Sequence, residues 1–158
     1  MRGSLRAFEQ GAECAVPESR AHLVWAEAKP NLWPASLPSF YINRDCDDDR
    51  RTHIESELRK VGILAERVSA VEGLAVPEDF RDYFFEEERL CSALKPGEVG
   101  CYASHLKVLR MIVARSLDYA LVIEDDAILP PDLRNVVDDV LASAPQSWDF
   151  IHLCGEPR

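Results

Sequence analysis

A short apolar run that ends in three acids constrains the fold of this chain more than any other feature. Residues 119–123 are almost continuously apolar and β-forming, and the triplet Glu124, Asp125 and Asp126 follows directly. A run without polar alternation predicts a strand that is covered on both faces, as parallel strands of α/β sheets are. Ligands of such sheets bind just beyond the carboxyl ends of the strands. The sequence therefore predicts an acidic site at one edge of an α/β sheet.

The acidic triplet predicts a bound cation. Three neighbouring carboxylates repel one another unless a cation or a proton lies among them. Their hard oxygen donors suit Mg²⁺ or Mn²⁺, and these ions in turn bind phosphates. The alternative is an acidic loop that caps the following helix. The position of the triplet directly after a buried strand favours the metal site.

Hydrophobic spacing along the rest of the chain predicts strands that alternate with helices. Strands are predicted at residues 39–43, around 67–71, at 119–123 and at 149–153. The charged and aromatic stretch 77–89 is predicted to form a short helix or a lid loop that its rings anchor. The order predicts an α/β fold in which helices flank a mostly parallel sheet.

Length, charge and cysteine spacing exclude several classes of function. The 158 residues suffice for one domain, and we expect a domain at residues 38–158 after a poorly defined, proline-containing extension at 1–37. The net charge of −10 argues against a nucleic-acid partner. No apolar run approaches the ~20 residues that span a bilayer. Five cysteines without C-x-x-C spacing indicate neither a disulfide framework nor a zinc site, so a reducing cytoplasm is expected.

Five blocks between residues 40 and 155 stand in an order that resembles a known family. They are Tyr41-Ile42-Asn43 with Asp49-Arg50-Arg51, Ala70-Val71-Glu72-Gly73, Leu94 to Cys101 with Ser104-His105-Leu106, Leu121 to Ala127, and Trp148-Asp149 with Leu153-Cys154-Gly155. Together they resemble glycosyltransferase family 25, the lipopolysaccharide and collagen galactosyltransferase-like group. Three positions depart from the family pattern: Arg44 stands where Leu is usual, Cys46 where a second basic residue is common, and Glu72 where Asp is usual.

The resemblance implies a fold, a reaction and a set of site residues. The fold would be GT-A-like, that is Rossmann-like, with the C-terminal, acceptor-binding part of the domain absent. The reaction would transfer galactose or glucose from a UDP-sugar to a saccharide or another hydroxyl acceptor, assisted by Mn²⁺ or Mg²⁺, as in lipopolysaccharide biosynthesis. The implied metal ligands are Glu124 and Asp126. The implied contacts to the nucleotide sugar are Asn43, Arg50, Glu72, Ser104, His105 and Asp125. No residue is assigned as the general base.

Several of these residues have structural alternatives. Arg50 suits a diphosphate because a guanidinium donates charge-assisted hydrogen bonds, but it could equally lie solvated on a helix. Asn43 and Glu72 follow predicted strands and could bind the base or ribose, or belong to turns. A lone histidine beside an apolar helix face, such as His105, is more often a hydrogen-bonded core residue than a catalyst.

Three functions remain open on the sequence alone. The first is the glycosyltransferase, and the second is a truncated or degenerate domain that binds a nucleotide sugar without turnover. The third is a nucleotidyl-type phosphotransferase, although the sequence lacks the Gly-rich phosphate loop of that chemistry. A glycosyltransferase of this kind is expected in the cytoplasm, including peripheral association with the inner membrane, or in the ER or Golgi lumen of a eukaryote.

Overall fold

The computed structural model describes residues 37–91 and 93–153. Apart from Leu37, the predicted extension at residues 1–37 lies outside them. The elements are, in chain order, β1 (Ser39–Asn43), α1 (Asp48–Lys60), β2 (Glu66–Ser69), α2 (Glu78–Arg81), β3 (Phe85–Glu86), β4 (Arg89–Leu90), α3 (Pro96–Ala114), β5 (Leu121–Glu124) and α4 (Leu133–Ser143). No helix in this part of the chain is long and apolar enough to cross a membrane.

A three-stranded parallel sheet lies at the centre of the described chain. The strand order is β2-β1-β5, and both pairs are parallel. In β1, Ile42 lies opposite Val68 of β2 on one side and Glu124 of β5 on the other. The first strand is thus the central one. The α/β fold with a parallel sheet and flanking helices, as expected of a Rossmann-like GT-A fragment, is confirmed.

Both faces of the sheet are covered, which explains why its strands lack polar alternation. Phe40 and Ile42 of β1 pack with Val108 of α3 on one face. Tyr41, between them, packs with Ile54 of α1 and with residues of α4 on the other face. Ile54 and Val108 are fully buried, and full burial of such a side chain contributes about 1.5–3 kcal/mol. The helices therefore sandwich the sheet in three layers.

The boundaries of α1 follow from charge and from one glycine. Asp48 and Asp49 occupy its first turn and Arg59 and Lys60 its last, so the charges complement the helix dipole. Gly62 follows with φ +65, the left-handed conformation that glycine adopts without a steric penalty. The helix therefore ends where the sequence predicts.

The stretch 77–89 folds as the short helix α2 and the hairpin β3–β4. Phe80 and Phe84 are buried against Val99 of α3, whereas Tyr83 is exposed. The prediction that aromatic rings anchor this stretch is confirmed for the two phenylalanines.

Two strand predictions differ from the structure. β2 ends at Ser69 rather than at Val71, because the Val71 amide donates to the Ser104 hydroxyl at 2.8 Å and not to a strand. The prediction of a strand at residues 149–153 is wrong, because these residues form no strand and Phe150 is 75% exposed. An apolar run shows that a segment can form a strand, but a strand also needs a neighbouring edge that pairs with it, which the run itself does not specify.

Candidate functional site

The carboxyl ends of the three parallel strands meet at one edge of the sheet. β1 ends at Asn43, β2 at Ser69 and β5 at Glu124. From β1 the chain reaches β2 through α1, on one face, and β5 follows α3, on the opposite face. The edge beyond β1 is therefore the topological switch point at which α/β sheets bind ligands.

Asn43 connects the ends of all three strands. Its side chain is 1% exposed, and its amide nitrogen donates to Asp125 Oδ2 at 2.8 Å and to the Asp47 carbonyl at 3.1 Å. Its amide oxygen accepts from Arg67 Nε of β2 at 3.0 Å. Because both amide hydrogens are used within the protein, Asn43 holds the site together. Its predicted contact with a base or ribose stays a prediction.

Arg50, in the first turns of α1, bridges two acids of the triplet. Its Nη2 lies 2.8 Å from Asp125 Oδ1 and 2.7 Å from Asp126 Oδ2. The Asp125 side chain is 10% exposed, while those of Arg50 and Asp126 are 46% and 66% exposed. Asp125 thus has both oxygens bound, one by an amide and one by a guanidinium, which explains how a carboxylate is accommodated at this depth.

One face of α1 holds the loop that follows β5. At the i+3 and i+7 positions from Arg50, His53 Nε2 lies 3.1 Å from the Ala127 carbonyl and Glu57 Oε2 accepts from the Leu129 amide at 3.0 Å. Glu57 is buried and is also paired with Lys60. The hydrogen bonds from Lys60 and from the Leu129 amide lower the pKa of Glu57. His53 and Glu57 therefore fix the residues directly after the acidic triplet, and Arg50, on the same helix face, holds two members of the triplet itself.

Glu124 faces the opposite helix. Its Oε1 lies 3.2 Å from His105 Nε2 of α3. One turn earlier on α3, Cys101 Sγ lies within 4.8 Å of a ring nitrogen of His105 and of a carboxylate oxygen of Glu124. Although Cys101 is exposed as a residue, partial burial of its thiol, together with the negative charges of Glu124 and Asp126, raises the pKa of that thiol. The triplet is thus divided: Glu124 belongs to the α3 side of the edge, and Asp125 and Asp126 to the α1 side.

Arg44 and Cys46, two of the three departures noted in the sequence, both contact the third, Glu72. Arg44 donates from Nε and Nη2 to the Glu72 carboxylate at 3.0–3.1 Å, and Cys46 Sγ lies 3.7 Å from Glu72 Oε1. The hydrogen bonds from Arg44 lower the pKa of Glu72. Glu72 is therefore held at the rim of the edge by Arg44.

Ser104 has a structural role in this arrangement. The residue is 1% exposed, and its hydroxyl donates to the Gly100 carbonyl at 2.6 Å and accepts from the Val71 amide at 2.8 Å. At Gly100 a Cβ would lie 2.6 Å from the Val71 carbonyl oxygen, so the helix and the loop after β2 are in direct backbone contact. The assignment of Ser104 to the nucleotide sugar stays a prediction.

The structure brings Asn43, Arg50 and Asp125 into one group joined by hydrogen bonds and an ion pair. His105 lies beside Glu124, and Glu72 lies at the rim of the edge. Three participants were missed from sequence: His53, Glu57 and Cys101. Each lies at a helical spacing from a predicted site residue, because His53 and Glu57 share a face with Arg50, and Cys101 is four residues before His105. That spacing is the signal that could have identified them.

The donor chemistry at the edge fits a divalent cation. Glu124 and Asp126 are both exposed, and Glu124 has an imidazole beside it. Carboxylate oxygens are the ligands that Mn²⁺ and Mg²⁺ prefer. The described residues also contain the Cys101, His105 and Glu124 group, whose mixed donors differ from the predicted pair.

Comparisons with known proteins agree on one family. A family model described as Glycosyltransferase family 25 (LPS biosynthesis protein) matches residues 37–156. The chain is 32% identical over 125 residues to a human protein named inactive glycosyltransferase 25 family member 3, a match that covers 72% of this chain and 21% of that relative.

Two further relatives show the same relationship. A glycosyltransferase 25 family member of Drosophila melanogaster is 29% identical over 148 residues, 87% of this chain and 24% of the relative. Procollagen galactosyltransferase 1 of Danio rerio is 29% identical over 125 residues, 72% of this chain and 20% of the relative. The chain spans about a fifth to a quarter of the length of these curated relatives.

Proposed function

Because this chain belongs to glycosyltransferase family 25, we propose that it binds a UDP-hexose at the edge beyond β1 and serves transfer of the hexose to a hydroxyl acceptor. The proposed donor is UDP-galactose or UDP-glucose, and the acceptor is a saccharide or another hydroxyl-bearing molecule. One observation supports this most: the divided acidic triplet lies at the switch point of the sheet with Arg50 bridging two of its members.

The leaving group of such a transfer sets the chemical demand on the site. Breaking the bond from the anomeric carbon to the phosphate oxygen leaves a diphosphate with growing negative charge, which needs positive charge or hydrogen-bond donors. A divalent cation held by Glu124 and Asp126 would supply a Lewis acid for that charge. Without the acceptor identified, no residue is assigned as the base.

Arg50 is the protein group best placed to meet the diphosphate. Both of its ion pairs use Nη2, and a guanidinium carries five N–H donors in a planar fork. Arg50 can therefore donate to a phosphate while it still pairs with Asp125. Asn43, through Asp125, would keep the guanidinium aimed at the edge.

The remaining proposed contacts to the nucleotide sugar lie around Arg50 and Asp125. We place the hexose and diphosphate between Arg50, Asp125 and His105, and the nucleoside toward Glu72 at the rim. Asn43 and Ser104 would then act by holding Asp125 and the loop after β2. The proposed location is the cytoplasm, including the membrane surface of a bacterium, or the ER or Golgi lumen of a eukaryote.

A second candidate function is binding of the nucleotide sugar without turnover. It is supported by the similarity to a human relative that is itself named inactive, at 32% identity. A donor assay on the purified 158-residue chain separates the two. Hexose transfer from UDP-galactose or UDP-glucose to a saccharide or hydroxylysine acceptor would support the transferase, and UDP-sugar binding with no transfer would support the binding domain.

The metal-assisted donor site is tested by calorimetry with UDP. We expect Mn²⁺ to tighten UDP binding by at least about tenfold, because a cation held by Glu124 and Asp126 would add positive charge next to the diphosphate. Asp126→Ala should remove this gain and leave the circular dichroism spectrum unchanged, since Asp126 is exposed. Asp139→Ala, an exposed aspartate of α4, is the matched control and should keep the gain. Equal UDP affinity with and without Mn²⁺ in the wild-type chain would refute the metal assignment.

A further inference from the structure

Three side chains with different donor atoms converge where the first turns of α3 meet the end of β5. Cys101 Sγ, a ring nitrogen of His105 and a Glu124 carboxylate oxygen all lie within 4.8 Å of one another, and His105 Nε2 lies 3.2 Å from Glu124 Oε1. Cys101 is exposed, and the side chains of His105 and Glu124 are 39% and 55% exposed. The group is therefore accessible to an ion from solvent.

The fold itself produces this convergence. Cys101 and His105 are four residues apart on α3, so their side chains lie one above the other on the same helix face. Because α3 runs back along the sheet before β5 begins, its first turns lie level with the carboxyl end of β5, where Glu124 is found. Two rigid elements thus supply all three groups, without any ligand from a flexible loop.

The combination of donors is selective for a class of metal. Sulfur, imidazole nitrogen and carboxylate oxygen together are the ligands of zinc and of similar borderline ions, whereas Mg²⁺ and Ca²⁺ require oxygen ligands. In a tetrahedral zinc site, bonds of about 2.0–2.3 Å place neighbouring ligand atoms about 3.3–3.8 Å apart. The three atoms lie within 4.8 Å of one another, about 1 Å more than these distances, and partly exposed side chains can close that difference by rotating about their χ angles.

We propose that Cys101, His105 and Glu124 bind a zinc-class divalent cation and leave one coordination position open. On binding, the metal replaces the thiol proton, which leaves to solvent. This site differs from the Glu124 and Asp126 pair in using α3 and a sulfur ligand, and it does not depend on the proposed function. It revises the expectation from cysteine spacing alone, because a histidine and a glutamate, rather than further cysteines, complete the donor set.

One consequence does rest on the proposed function. Glu124 is common to both sites, so a zinc-class ion would withdraw it from the cation that assists the diphosphate. Zinc in excess should therefore reduce the gain in UDP affinity that Mn²⁺ gives.

Cobalt titration tests the new site directly. Co²⁺ bound by a thiolate gives a near-ultraviolet charge-transfer band, which imidazole and carboxylate alone do not give. We expect this band to saturate at one equivalent in a variant of the full chain whose other cysteines, Cys14, Cys46, Cys91 and Cys154, are serine. Cys101→Ser should abolish the band, and His105→Ala and Glu124→Gln should each weaken Co²⁺ binding by at least about tenfold.

Controls distinguish this site from metal binding elsewhere on the chain. Zn²⁺ should displace Co²⁺ and slow alkylation of Cys101 by iodoacetamide, while Mg²⁺ in large excess should do neither, because it binds thiolate poorly. In the natural sequence Cys101→Ser should also remove the band, which provides the test if the four-serine variant does not fold. A band that survives Cys101→Ser, or no band in the wild-type chain, overturns the proposal. Neither result bears on UDP binding with Mn²⁺, which tests the proposed function separately.

Discussion

Arg50 and Arg51 are adjacent in sequence, yet the structure gives them different surroundings. Arg50 bridges Asp125 and Asp126 across the sheet edge, whereas Arg51 pairs with Asp48 and Glu55 of its own helix. The side chains are similarly exposed, at 46% and 43%. The pair therefore offers one arginine at the candidate site and one matched arginine outside it.

Replacing Arg50 should distinguish a diphosphate contact from a surface role. We expect Arg50→Ala to weaken UDP binding by about 1.5–3 kcal/mol, the usual contribution of a hydrogen bond to a charged group, and to leave uridine binding nearly unchanged. Arg51→Ala should change neither ligand. Calorimetry with UDP and uridine measures both, and equal losses for the two ligands on Arg50→Ala would assign Arg50 to structure alone.

At the scale of elements, α1 and α3 approach the site from opposite faces and have different roles. α1 fixes the loop after β5 through Arg50, His53 and Glu57. α3 contacts the loop after β2 so closely that a side chain at Gly100 would meet the Val71 carbonyl at 2.6 Å and the Gly73 amide at 3.0 Å. The position of Glu72, between Val71 and Gly73, thus depends on the absence of a side chain in α3.

Two glycines of α3 allow this close approach to be tested within one helix. Gly100→Ala should lower the free energy of unfolding by about 1–3 kcal/mol, because the backbone of residues 71–73 must move. Gly97→Ala meets no atom within 4 Å and should be neutral or stabilising, by up to about 1 kcal/mol, since alanine favours the helix. Urea denaturation compares the two, and equal midpoints would show that the loop adapts at no cost.

The sequence predicts these elements better than it predicts their contacts. β1 and β5 are recognised because both are apolar without alternation, and Gly62 marks the end of α1. The prediction of a strand at residues 149–153 fails because a strand also needs a neighbouring strand to pair with, and the apolar run does not reveal one. Asp125 was expected beside the nucleotide sugar, but the sequence could not reveal that Asn43, 82 residues away, holds it. A contact between side chains that are far apart in sequence produces no periodic pattern of residue types. The site depends on such contacts, so the sequence could not predict them.

For the molecule as a whole, several carboxylates are bound by donors that favour their charged form. Hydrogen bonds from arginine, lysine, serine or backbone amides lower the pKa values of Asp45, Glu57, Glu66 and Glu72. A carboxylate whose pKa is lower in the folded state stabilises that state above its unfolded pKa. This contribution disappears as the pH falls through the lowered value.

Acid should therefore destabilise the chain, and Glu57 should report part of the effect. The unfolded pKa of glutamate is about 4.3. We expect the urea midpoint to change little from pH 7 to about pH 5 and to fall below about pH 4. Glu57→Gln should lower the midpoint at pH 7, with a difference from wild type that shrinks as the pH falls further. The exposed Glu86→Gln is the control, and an identical pH profile for Glu57→Gln and wild type would contradict the assignment.

The central position of β1 has a consequence for the order in which the chain folds. β1 and β2 are close in sequence and can pair early through α1, but β5 must return across the intervening helices to pair with β1. Contacts that close such long loops form slowly, because the loop entropy is lost before the contact is gained. The hydrogen bond from Asn43 to Asp125 is one of these contacts. During synthesis β1 and β2 emerge well before β5, so the acidic edge forms only when β5 pairs with β1.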